Sequence, residues 1–215
     1  MNTRSRSETS TANRKESITS AGSFRATFKS STRVVAFAIE ATCHSPDRVQ
    51  CFSGVNRCLK KGGIFVGYEW IVLPEKGFDA KNPDHLRIKE GIEVGNGLPT
   101  LAIGADIVKA LDKVLEDSGF EVIQEFDANR CVHSEYEISW YETLNGSFTL
   151  SGYRMTRLGR FCTHSLVSTL EFLRIAPTGT VRVSTLLNAT AIDHVNGGKQ
   201  EIFTPSYFFI ARKKK

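Results

Sequence analysis

The 215-residue sequence lacks a long apolar run, a paired-cysteine motif and a basic central region. No stretch approaches the roughly 18 consecutive apolar residues that indicate a transmembrane helix. The five cysteines are odd in number and contain no CxxC pair, which argues against a disulfide framework or a zinc ribbon and favours a reducing compartment. What remains is the composition of a soluble globular domain, in which we expect no metal site.

The net charge of +5 is concentrated at the two ends of the chain. Residues 1–33 carry seven Arg and Lys against two Glu, and residues 212–215 add four more basic side chains. The body between them is therefore slightly acidic. A nucleic-acid-binding domain needs a basic face on its folded part, so we expect no nucleic-acid partner.

Residues 1–33 are rich in Ser, Thr and Arg and show no apolar periodicity. One interpretation is a disordered tail. A second is an organelle transit peptide, which has the same Arg- and Ser-rich, acid-poor composition. A third is that this stretch is not the natural start of the domain.

The segment that follows has the pattern of a strand, a helix and a second strand. The apolar run Val34–Ile39 predicts a strand buried on both faces. Ser45 and Pro46 have the residue types of a helix start, and the predicted helix runs to Gly62-Gly63. Residues 64–73 then predict a second strand, so that the unit is a crossover between parallel strands.

Candidate functional residues stand late in both predicted strands, where ligands of parallel sheets bind. Glu40 directly follows the first strand, and Tyr68, Glu69 and Trp70 come late in the second. Because side chains alternate along a strand, Tyr68 and Trp70 share one face while Glu69 points to the other. The alternative for Glu40 is a charge that caps the following helix through its dipole. His44 is either a base or a hydrogen-bonded loop residue.

The rest of the chain predicts more helices and a returning strand. Gly91–Pro99 predicts a glycine-rich loop in which Glu93 is either a solvated charge or a ligand contact. Asn82 and Pro83 have the residue types of a helix cap and a first helical position, and they predict a helix over 84–91. Apolar patterns predict helices over 106–118, 159–173 and 182–195, and strands over 120–126 and 201–211. A sheet whose last strand returns antiparallel after an insertion is a recognisable plan.

Several motifs within that plan resemble those of the sterol 24-C-methyltransferase family. They are AIEATCHSP (38–46), LKKGG (59–63), GYEW (67–70), GNGLP (95–99), SGFEV (118–122), LGRF (158–161), LRIAPTGT (173–180) and GGKQEIFTP (197–205). The first of these, followed at this spacing by GYEW, carries most of the resemblance. It covers what would be the C-terminal two-thirds of such an enzyme.

The resemblance implies an α/β fold with the Rossmann-like sheet of a class I methyltransferase. The family's Gly-rich, cofactor-binding turn has no counterpart before Val34, so the sheet is expected to lack its first three strands. Their absence would leave the edge and the apolar faces of the Val34–Ile39 strand uncovered. The implied organisation is a tail over 1–33, the C-terminal half of the methyltransferase domain over 34–130, and a sterol methyltransferase C-terminal region over 131–215. The last region contains an α-helical insertion before the final strand.

The implied activity is methyl transfer from S-adenosyl-L-methionine (AdoMet) to C-24 of a sterol with an unsaturated side chain. The site must hold a sulfonium and then a carbocation in an apolar environment, so carboxylates and aromatic faces are expected. The resemblance assigns AdoMet to Ala38, Ile39 and Glu40. It assigns catalysis to five residues: Glu40, His44, Tyr68, Glu69 and Trp70.

The family also implies a homo-oligomer on the cytosolic face of the endoplasmic reticulum membrane, associated peripherally. The alternative location is cytoplasmic or organellar. A second hypothesis is a non-catalytic, truncated paralogue that serves as an interaction or lipid-binding module. The missing Gly-rich turn favours this second hypothesis, whereas the motifs favour the enzyme.

Overall fold

A computed structural model describes residues 33–101, 109–130, 138–147, 149 and 152–215. Its strands are β1 (Arg33–Ile39), β2 (Leu59–Val72), β3 (Phe120–Asp127) and β4 (Phe203–Lys213). Its helices are α1 (Arg48–Cys58), α2 (Pro83–Asn96), α3 (Leu111–Asp117), α4 (Glu142–Asn145), α5 (Arg157–Phe172) and α6 (Thr180–Lys199). The N-terminal tail interpretations fall on residues 1–32, outside the described ranges.

The four described strands form one mixed sheet in the order β1-β2-β4-β3. β1 and β2 are parallel, and β4 lies antiparallel between β2 and β3. The predicted α/β architecture with a returning final strand is therefore confirmed. Across the sheet, Ile39 pairs with Tyr68 and Tyr68 pairs with Phe208, which fixes the register at the carboxyl ends of β1 and β2.

Helices α1 and α3 cover one face of the sheet with an aromatic core. Phe65 of β2 lies 5.4 Å from Phe52 of α1 and 5.0 Å from Phe209 of β4, measured between ring centroids. Phe120 closes the group at 5.5 Å from Phe65. All four rings are at most 1% exposed, so this cluster is the main hydrophobic core.

A second apolar cluster, on the opposite face of the sheet, packs against α2. It contains Val72, Ile88, Ile92, Ile202 and Phe203. α2 packs in turn against α6 through glycines: a Cβ added at Gly95 would lie 1.7 Å from Thr190 Oγ1, and one at Gly91 would lie 1.9 Å from Asp193 Oδ2. The two helices thus approach at positions where no side chain fits.

Strand β1 departs from the prediction that both of its faces are buried. Val34, Val35, Phe37 and Ile39 are 53–78% exposed, and β1 forms the edge of the described sheet. An apolar run predicts a strand, but it does not reveal what covers the strand. Among the described residues, the backbone groups on its outer edge have no partner strand.

Several predicted helix boundaries are wrong. The N-cap of α1 is Asp47, whose side chain accepts a hydrogen bond from the Gln50 amide, and the helix ends at Cys58, before Gly62-Gly63. α2 continues through the predicted loop and ends at Gly97, which has the left-handed φ of 64° that glycine tolerates. α3 begins at Leu111, and residues 106–108 of the predicted helix lie outside the described ranges.

The predicted helices near the end of the chain are confirmed as α5 and α6, each slightly longer than expected. Asn82 caps α2 as predicted, because its side chain accepts the Asp84 amide. Among the described helices, none has the length and apolar character needed to cross a membrane.

Candidate functional site

Glu40 is the first residue after β1 and has an unusual backbone conformation. Its φ of 50° lies in the left-handed region, which is costly for any residue other than glycine. Its backbone amide donates to the Tyr68 carbonyl at 3.1 Å, which ties the carboxyl ends of β1 and β2 together. The side chain is exposed, so this carboxylate faces outward where parallel strands present ligands.

The chain then makes one 3-10 turn, Thr42–His44, which is hydrogen-bonded to the backbone of Glu40. Cys43 is 2% exposed, and its Sγ donates to the Glu40 carbonyl at 3.1 Å. Burial, followed by the nearby Glu69 carboxylate, raises the pKa of this thiol to about 11. Cys43 is therefore a packed, protonated thiol, while His44 is exposed at the end of the turn.

Glu69 lies on the α1 face of the sheet and is fully buried. Arg48, also fully buried, donates from Nε to Glu69 Oε1 at 3.2 Å, and the Thr42 hydroxyl donates to Oε2. Burial raises the pKa of the Glu69 carboxyl, and the adjacent Arg48 opposes that shift. The carboxylate thus joins β2, α1 and the turn after Glu40.

Tyr68 and Trp70 are half-buried on the other face of β2, as the strand alternation predicts. Tyr68 begins a row of rings across three strands: it lies 5.1 Å from Phe208, which lies 5.0 Å from Phe126. Glu69 therefore does not share a surface with its two aromatic neighbours. The structure joins the backbones of Glu40 and Tyr68 and places the Glu69 side chain on the opposite face of β2 from Tyr68 and Trp70.

Trp70 belongs to an aromatic cluster with Trp140, His194 and Phe203. Phe203 lies 5.7–5.8 Å from each of the other three rings, and Trp70 lies 5.7 Å from His194 in an edge-to-face arrangement. Within the described ranges, the buried Nε1 of Trp70 has no hydrogen-bond partner. This indole N–H is therefore an unpaired buried donor among the described residues.

His194 is the member of this cluster that the sequence reasoning missed. It lies on α6 and is 8% exposed, and its Nδ1 is 2.8 Å from the Thr190 carbonyl. Burial lowers the pKa of the imidazole, so the ring is neutral at pH 7 and adds no positive charge to the cluster. No motif marks His194; its only signal is the helical spacing that places it on the buried face of α6 with Thr190.

A cavity of ≈ 90 Å³ adjoins the cluster at Trp140 and Phe203. Its polar lining includes Asp127, Arg130 and Glu201, and the Arg130 guanidinium forms an ion pair with each of the two carboxylates. Pockets for drug-sized ligands are roughly 300–1,000 Å³. This cavity is too small for a sterol.

The residues assigned to AdoMet stand at the end of β1. Ala38 pairs with Gly67 and is half-buried, Ile39 is exposed, and Glu40 has an exposed side chain and a backbone amide that donates to the Tyr68 carbonyl. An exposed carboxylate at a strand end suits a cation such as a sulfonium, so Glu40 fits the charged end of the cofactor. The described residues show no glycine-rich turn for its nucleotide end.

Comparison with known proteins finds sequence relatives over most of the chain. The sterol methyltransferase C-terminal family matches residues 150–214. The chain is 43% identical over 178 residues to a cycloartenol-C-24-methyltransferase of Arabidopsis thaliana, covering 82% of this chain and 50% of that protein. It is 35% identical over 194 residues to sterol 24-C-methyltransferase ERG6 of Saccharomyces cerevisiae, covering 86% and 48%.

The resemblance to sterol 24-C-methyltransferases is confirmed. The chain spans about half the length of the curated relatives it matches, where the motifs implied two-thirds. The matched span includes the strand ends that carry Glu40 and Tyr68.

Solved structures agree with the fold. The cyclopropane synthase MmaA2 of Mycobacterium tuberculosis has a TM-score of 0.52 at 11% identity, covering 83% of this chain and 55% of that one. The mycolic acid cyclopropane synthase CmaA1, solved with SAH and CTAB, gives 0.52 at 12% identity with the same coverage. The sheet is therefore that of a Rossmann-like class I methyltransferase, and the sterol methyltransferase likeness comes from the sequence matches.

Proposed function

We propose that this chain takes part in AdoMet-dependent methyl transfer to C-24 of a sterol with an unsaturated side chain. The observation that carries the proposal is the exposed Glu40 side chain at the carboxyl end of β1, on a left-handed backbone whose amide is hydrogen-bonded to the Tyr68 carbonyl. A strained, non-glycine residue at a strand end is typical of a functional position. The named activities of the sequence relatives support the same reaction.

In this mechanism, bound AdoMet supplies an electrophilic methyl group on a positively charged sulfur. Glu40 provides the opposite charge at the end of β1. When the sterol double bond takes the methyl group, a positive charge forms on the sterol side chain, and after a hydride shift a proton is lost to restore a double bond. We propose that Glu40 accepts this proton as the general base, because it is the exposed carboxylate among the predicted site residues.

The aromatic side chains of β2 stabilise the positive charge on the sterol. Tyr68 and Trp70 share the sheet face next to the neutral His194, so this surface offers ring faces without a competing cation. Such cation–π contacts contribute about 0.5–2 kcal/mol each. The aromatic cluster around Trp70 supports one side of the proposed site and does not enclose a sterol-sized pocket.

Glu69 has a positioning role in this proposal, because its carboxylate is bound by Arg48 and Thr42. It holds the turn that follows Glu40 and does not reach the sheet face of Tyr68. His44 is exposed four residues after Glu40, and we assign it no step.

The proposal extends to partners and location. The substrate class is a sterol, and we propose a homo-oligomer that associates peripherally with the cytosolic face of the endoplasmic reticulum membrane. These assignments come from the sterol methyltransferase resemblance.

Isothermal titration of AdoMet into the purified chain, after circular dichroism has shown that it is folded, tests the proposal. We expect saturable binding by the chain and at least about a tenfold loss of sterol methylation in Glu40→Gln. Glu121→Gln, which removes an exposed carboxylate from β3, is the matched control and retains both. A folded chain that gives no binding heat overturns the enzyme proposal and leaves the non-catalytic module.

A further inference from the structure

The hairpin formed by α5 and α6 projects from the rest of the described protein. In α5 the buried residue is Gly159, near the helix start, and in α6 burial begins at Thr190. The first ten residues of α6, about 15 Å of helix, therefore pack beside α5 without entering a core. The turn between the helices lies at the far end of this projection.

That turn exposes a compact apolar surface. Phe172 is 85% exposed, Leu173 is 57% exposed and Ile175 is 70% exposed. We call these three side chains, together with Arg174 and Arg182, the hairpin tip. Single exposed apolar residues are ordinary on protein surfaces, but neighbouring ones at the end of a projection mark an interaction surface.

The charges along the α5–α6 hairpin are almost all positive. Residues 152–189 contain five arginines and one acidic residue, Glu171. The Glu171 carboxylate is occupied, because it accepts the backbone amides of Gly179 at 2.9 Å and Val181 at 2.7 Å at the start of α6. Arg160 is likewise turned inward, to Asn188 and Leu144. Arg174 and Arg182 remain exposed at the tip.

Arg174 has a conformation that normally requires glycine. Its φ is 58°, at the position where α5 ends and the Ile175 amide returns to the Leu170 carbonyl at 2.9 Å. Glycine is the usual residue at such a helix end because any side chain there adds strain. The chain carries an exposed guanidinium at this point instead.

We propose that the hairpin tip docks on an anionic lipid surface. Phe172, Leu173 and Ile175 enter the boundary between headgroups and acyl chains, while Arg174 and Arg182 bind headgroup phosphates. A second copy of the chain suits the tip poorly, because a two-fold contact would bring the same arginines together. The inference rests on the peripheral membrane association proposed above and assigns a surface to it. None of its residues belongs to the candidate site around Glu40, so its test is independent of the catalytic proposal.

Co-sedimentation of the full chain with vesicles tests this inference. We expect binding to phosphatidylcholine vesicles that contain phosphatidylserine, and weaker binding to phosphatidylcholine alone or at high salt. The double variant Phe172→Ser/Ile175→Ser binds at least about tenfold more weakly. Phe37→Ser removes a 78%-exposed ring from β1 and serves as the matched control with unchanged binding.

Arg174→Gly separates docking from folding. Because glycine removes the strain, the urea midpoint of this variant is equal to or above that of the parent chain, while vesicle binding falls. Arg182→Gln also weakens binding, whereas Lys60→Gln, an equal loss of charge on β2, does not.

Three results would overturn the inference. The first is a parent chain that does not sediment with the anionic vesicles. The second is equal binding by the parent chain and the tip variants, which would assign binding to the basic residues elsewhere in the chain. The third is a tip variant that dissociates an oligomer without any effect on vesicle binding, which would assign the tip to a protein contact. AdoMet titration of the same variants reports on the catalytic proposal independently.

Discussion

Arg48 and Glu69 form an ion pair, 3.2 Å from Nε to Oε1, in which both side chains are fully buried. The pair connects α1 to β2, and the Thr42 hydroxyl extends it to the turn after Glu40. Arg48 also donates to the Ser45 carbonyl, so one guanidinium connects the loop after Glu40 to Glu69 of β2. The buried charge pair therefore holds the loop that follows Glu40 and so helps to fix the position of Glu40.

Removing one partner of this pair is expected to destabilise the fold strongly. Arg48→Met leaves the Glu69 carboxylate buried without its cation, and the expected cost is about 3–5 kcal/mol in the free energy of unfolding by urea. The double variant Arg48→Met/Glu69→Leu recovers a large part of that loss. Lys113→Met breaks an exposed pair with Glu116 and is expected to change stability far less, because solvent screens that pair. An equal effect of the two single variants would contradict this interpretation.

A glycine in the contact between α2 and α6 and a glycine in α1 are expected to respond in opposite ways to replacement by alanine. Gly95→Ala puts a methyl group against the buried Thr190 and is expected to cost about 1–3 kcal/mol. Gly54→Ala lies in α1, where the nearest atom to the new methyl is 3.8 Å away, and is expected to stabilise the helix by about 1 kcal/mol. Thermal or urea unfolding of both variants measures the difference. A stabilising Gly95→Ala would show that the two helices are further apart.

Cysteine reactivity reports on the loop at Glu40. Cys43 is buried with a pKa of about 11, whereas Cys162 is exposed on α5. At pH 8, iodoacetamide is expected to alkylate Cys162 at least about 100-fold faster than Cys43 in the folded chain, because the thiolate is the reactive form. Mass spectrometry of the digested protein measures each rate. Urea should remove the difference, and rapid labelling of native Cys43 would show that the loop opens.

Glu125 on β3 predicts a pH-dependent stability. Burial, followed by the nearby Asp112, Glu75 and Glu116, raises the pKa of its carboxyl from 4.5 to about 6. The folded state therefore binds this proton more tightly, so the stabilising contribution is complete below pH 4.5 and is lost as the pH rises through 6.

Glu125→Gln is accordingly expected to stabilise the fold at pH 8 and to have no such effect at pH 4. Because the side chain is only half-buried, screening limits the gain to about 1 kcal/mol or less. Urea unfolding at both pH values measures it. A gain of the same size at pH 4 and pH 8 would exclude ionisation of Glu125 as the cause.

The elements that the sequence predicts well are those whose own residues determine them. The apolar runs of β1 and β2 and the amphipathic pattern of α5 are local signals. α2 was predicted too short because Gly91 and Gly95 normally weaken a helix, and only the packing of α6 against them explains their presence. The exposure of β1 could not be predicted from its apolar run, but the family resemblance predicted it, because the absence of the first three strands leaves the edge and apolar faces of β1 uncovered.

The candidate site divides in the same way. The opposite orientations of Glu69 and Trp70 follow from strand alternation and could be predicted. The partners of Glu69 could not, since Arg48 lies 21 residues away in sequence and becomes a neighbour through the crossover of α1. His194 reaches Trp70 from α6, a contact over more than 120 positions that no short motif records.

The place of β4 in the sheet also determines when the sheet can form during synthesis. β4 is the last of the four described strands to leave the ribosome, yet it lies between β2 and β3. Until it emerges, the edges of both neighbours remain unpaired beside their apolar side chains. Such distant pairing folds slowly and leaves partly made chains prone to aggregation. The nascent protein is thus expected to need chaperone protection until its final strand is inserted.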